Sequence, residues 1–66
     1  MSIRPQLSSV STVLTDITGR VSALAETAAG SQREDVAGAL YEIERSLLTA
    51  SRRLEQLVSD LARTSR

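Results

Sequence analysis

The 66-residue chain contains no cysteine, no histidine and no lysine. Without cysteine it has no disulfide framework, and without cysteine or histidine it cannot build a zinc site of the structural kind. The same absences remove the usual activators of a Ser or Thr nucleophile, which needs a neighbouring base or a lowered pKa. Phenylalanine and tryptophan are also missing, and Tyr41 is the only aromatic residue. Any core must therefore be aliphatic, and a single tyrosine is no series of platforms on which successive nucleic-acid bases could stack.

Net charge is missing too. Eight Arg balance eight Asp plus Glu, and the balance holds on either side of Gly30. A neutral chain has no strong field to attract nucleic acid or an anionic membrane. An arginine row on the second helix (Arg45, Arg52 and Arg66) is interleaved with Glu42, Glu55 and Asp60, which suits a solvated face better than a phosphate-binding one. No apolar run approaches the roughly 20 residues that span a bilayer. The opening MSIRPQLSSV shows neither the basic cluster nor the apolar stretch of a secretory signal. A cytoplasmic location is the expectation, and the arginine-only, alanine-rich usage suggests a GC-rich bacterial genome.

The three glycines stand apart at 19, 30 and 38, so no glycine-rich phosphate loop is present. The carboxylates of Glu42, Glu44, Glu55 and Asp60 fall outside the apolar lines described next, so no carboxylate pair is forced into a dry core where its pKa would shift. The chain is expected to be non-enzymatic, with no cofactor, no metal and no small-molecule substrate.

What the sequence does contain is periodicity. Apolar residues recur at Ile3, Leu7, Val10, Leu14, Ile17, Val21, Leu24 and Ala28, in steps alternating between three and four residues. The pattern resumes at Val36, Leu40, Ile43, Leu47, Ala50, Leu54, Leu57 and Leu61. This is heptad spacing, with Leu7 and Leu40 on a positions and Val10 and Ile43 on d positions. The two stripes differ in register by one residue, and the segment AAGSQRED between them (Ala28 to Asp35) is either a turn or a stutter in one long helix. Local chemistry favours the turn. Gly30 suits a left-handed helix end, and Ser31 with Glu34 spells a capping box.

Folded back there, the chain predicts an all-α antiparallel hairpin, a single domain with helices over about 5–29 and 33–64. The a residues of one stripe then face the d residues of the other: Ala28 meets Val36, Leu24 meets Leu40, Ile17 meets Leu47, and so on to Ile3 with Leu61. So small a chain stabilises itself poorly through one seam. It also has apolar residues the seam does not use: Val13 on the first helix, and Ala37, Tyr41, Leu48, Val58 and Ala62 on the second. These are expected to form a protein interface, with a homodimer as a four-helix bundle the simplest arrangement and a helix of another protein the alternative.

A further feature concerns the outer face of the first helix. The first helix carries Ser8, Ser9, Ser11, Thr12, Thr15, Thr18, Ser22 and Thr27 where exposed helices usually carry charge. A weakly charged Ser/Thr coat fits half-burial against a partner, or plain solvent, better than membrane insertion, which calls for bulky aromatics. Functionally, the chain is expected to be a small structural or adaptor protein that self-associates. The alternative is an obligate regulatory partner of another macromolecule, antitoxin-like or secretion-associated.

Overall fold

The computed structural model describes residues 3–64, so Arg66 of the arginine row lies outside the described residues. Two helices, α1 (Arg4–Gly30) and α2 (Glu34–Thr64), pack against each other as a hairpin. Pro5 lies in the first turn of α1, where a missing N–H costs nothing. The hairpin is long and thin: its Cα atoms span 53 × 15 × 12 Å, and the radius of gyration is 15.3 Å. A compact chain of this length would have a radius of about 11 Å. The shape follows from two long helices packed side by side with nothing else against them among the described residues.

The turn forms where expected but by different residues. The left-handed residue is Gln32, at φ 61°, and no glycine has positive φ. The Gln32 N–H donates to the Ala29 carbonyl at 3.2 Å, and the Arg33 N–H donates to the Ala28 carbonyl at 2.9 Å. That nested pair is a Schellman motif, with Ser31 as C-cap and Gln32 in the position glycine usually holds. Gly30 is instead the last helical residue of α1. The capping box of Ser31 and Glu34 does not form. The first bond of α2 runs from the Ala37 N–H to the Arg33 carbonyl, which makes Arg33 the N-cap and leaves Ser31 to the end of α1. Glu34 and Asp35 still occupy the first turn of α2, where the helix dipole favours negative charge, and Arg63 lies in its last turn.

The larger difference is in how the helices face each other. On α1 the a residues Leu7, Leu14, Val21 and Ala28 are half-buried, and the most protected residues are Thr18 and Ala25, on e positions. The d residues Ile3, Val10, Ile17 and Leu24 are exposed, at 49%, 54%, 42% and 57%. The second helix repeats this. Leu40, Leu47, Leu54 and Leu61 are half-buried on a, together with Glu44, Ser51 and Val58 on e, while Ala37, also on e, is buried. On the d line, Ile43 and Leu57 are 47% and 46% exposed, Ala50 is exposed, and Val36 alone is half-buried.

The helices therefore meet through their a and e lines, not through a and d, and the seam is rotated away from the apolar stripe. The cause is side-chain size. Beside the larger Glu44 and Val58, the e line carries Ser11, Thr18 and Ala25 on α1 and Ala37 and Ser51 on α2, small residues that leave room for a facing helix. The hydroxyl of Thr18 costs little there, because it donates to the Leu14 carbonyl at 2.7 Å. The result is a thin core: no large side chain among the described residues is fully buried.

Candidate functional site

With the same two lines in contact on antiparallel helices, α1 and α2 are related by an approximate two-fold axis normal to the hairpin. Equivalent heptad positions then point to the same side of the molecule. The grooves on one side agree with this. One is lined by Ser8, Ser11 and Thr12 of α1 with Glu55, Val58 and Ser59 of α2. The other is lined by Thr15 and Thr18 with Leu48, Ser51, Arg52 and Glu55. All these residues are on b, e or f positions, so that side is the more polar one.

Residues seven apart on a helix stay nearly in line, drifting only about 20° per heptad. The d lines of both helices consequently point to the opposite side. There Ile3, Val10, Ile17 and Leu24 run beside Ile43, Ala50 and Leu57, with Val13 (56% exposed) at the margin. Single exposed aliphatics are unremarkable on a protein surface, but a continuous row along both helices is not. This face is the candidate functional site.

The residues expected to form the interface do not lie together. Ala37 is buried in the seam and Val58 is half-buried at its edge. Tyr41 and Leu48, 45% and 46% exposed, share a surface dip with Glu44 and Arg45 on the polar side. Ala62 is exposed on the same b line. Val13 belongs with the opposite, apolar side. The sequence pattern thus marked two surfaces as one.

The Ser/Thr coat has a local explanation. Thr12, Thr15 and Thr27 donate their hydroxyls to the carbonyls of Ser8, Ser11 and Ala23, at 3.1, 3.0 and 3.0 Å. Each threonine satisfies itself on its own helix, four residues back. One hydroxyl is different: the Ser51 Oγ is buried without a hydrogen-bond partner.

Charged groups add little chemistry. The ion pairs Asp16–Arg20 (3.3 Å), Arg33–Asp35 (3.7 Å) and Asp60–Arg63 are between exposed or largely exposed side chains. Such pairs contribute about 0–1 kcal/mol each. Among the described residues no group of three acidic, Cys or His side chains could hold a metal ion. No described helix is long and apolar enough to cross a membrane. Comparison with protein families, with curated proteins and with solved structures gives no match, so the functional reading rests on this surface.

Proposed function

We propose that the chain is a small non-enzymatic structural or adaptor protein that works by helix–helix contact and self-associates as a homodimer. The observation that carries the reading is the exposed apolar row. Among its residues, Ile3, Val10, Ile17, Leu24, Ile43 and Leu57 are each more than two-fifths exposed in the single hairpin. Burying one Leu or Ile side chain is worth about 1.5–3 kcal/mol, so leaving a row of them in water forgoes several such contributions. A chain with no disulfide and a thin core has few other routes to stability.

The polar side supports the adaptor part of the reading. Tyr41 and Leu48 offer an aromatic and an aliphatic anchor beside Glu44 and Arg45, a composition suited to a second protein's helix. Self-association predicts that thermal stability depends on protein concentration, because mass action favours the folded oligomer. Melting followed by circular dichroism over a hundredfold range of concentration tests this. A Tm that rises with concentration supports the proposal, and a Tm independent of concentration refutes it.

A further inference from the structure

Resting on the self-association reading, we infer where the second copy sits: on the d face, hairpin against hairpin, completing a four-helix bundle with the Tyr41–Leu48 side outward. Three observations support this arrangement.

The first is the orientation of the helices. In a two-stranded coil, a and d both face the one partner. In a four-helix bundle each helix has two neighbours, so its a and d lines point to the bundle axis and its flanks touch the neighbours. Here α1 and α2 touch through a and e, while the d flank is open. Each helix is set as a bundle helix with one of its two neighbours in place.

The second is area. The chain exposes 5155 Å². A compact monomer of its 7.1 kDa mass exposes about 4100 Å². The surplus of about 1000 Å² matches the roughly 800 Å² that each partner contributes to a stable interface of standard size.

The third is charge. The c and g lines bordering the d face carry Asp16, Asp35, Glu42 and Asp60 against Arg20, Arg53 and Arg63, four acidic and three basic, with Asp35 held by Arg33. Asp16 is already paired with Arg20, and Asp60 with Arg63. A rim of mixed sign, with three of its four acids already paired, meets its own copy without a large build-up of like charge, as a face shared by two identical chains requires.

The native chain has no cysteine, so single-cysteine variants report one position each. Leu24→Cys places a thiol on the d face and Leu48→Cys one on the opposite side. The hairpin alone exposes these positions comparably, at 57% and 46%. Alkylation by iodoacetamide under native conditions is measured alongside sedimentation equilibrium and helicity for each variant. The expected result is two helical dimers in which the thiol at 24 reacts about tenfold more slowly than the one at 48. Ala50→Cys, which removes no large side chain from the same face, should be protected likewise. Dimers with equal rates, or with the thiol at 48 the slower, would overturn the face assignment while leaving self-association standing. Helical monomers would overturn both.

Discussion

The rotation of the seam makes Ala25→Leu a decisive substitution. Ala25 is fully buried between the helices, on an e position. A leucine there adds three heavy atoms at a position with no exposed surface. Forcing extra methylenes into a packed site costs about 1–3 kcal/mol, and helix propensity offers no compensation because alanine is already the best helix former. A loss of about 2 kcal/mol lowers the Tm of a domain this small by roughly 8–16 °C. With a urea slope near 1 kcal/mol/M, the denaturation midpoint falls by about 2 M. Ala23→Leu, at an exposed position two residues earlier, is the control and should shift stability by less than about 0.5 kcal/mol. Both are read by urea titration of the helical signal at equal protein concentration. Had the helices met through a and d, Ala25 would lie beside the seam and the added leucine would be neutral or stabilising. An Ala25→Leu protein as stable as the native chain would therefore refute close approach along the e line.

Two other substitutions probe single features. Gln32→Gly relieves a left-handed residue of its Cβ clash and should raise stability by about 0.5–1 kcal/mol, less the added freedom of the unfolded chain; a loss in urea titration would count against the Schellman turn. Ser51→Ala removes a buried hydroxyl that has no partner and should stabilise by about 1 kcal/mol; destabilisation would mean that the hydroxyl is bonded in solution.

Much of the architecture is legible in the residue spacing. The alternating steps of three and four from Ile3 to Ala28 and from Val36 to Leu61 specify two helices, and the register break between them marks the reversal. The direction in which the stripe faces is not legible in the same way. Heptad spacing marks the line of apolar residues, and that line serves equally for one partner or for the axis of a bundle. The deciding signal is the small size of the e-line residues Ser11, Thr18, Ala25, Ala37 and Ser51, which a hydropathy pattern does not weigh. For the same reason the apolar pattern groups Ala37 and Val58 with Tyr41 and Leu48, although the seam claims the first two. In the turn, residue type alone points to Gly30, whereas the left-handed position is set by where the last carbonyls of α1 find donors. That falls on Gln32, and glutamine carries no sequence signal for such a conformation.

The central claim is that the hairpin is half of an assembly of identical chains. Sedimentation equilibrium of the purified native chain, from low micromolar to millimolar concentration, tests it most directly. A dimer of hairpins predicts a helical species of twice the 7.1 kDa chain mass, dissociating only on dilution and losing helicity as it does so. A well-folded helical monomer throughout that range would contradict it, since the apolar d face would then be stable in water without a partner.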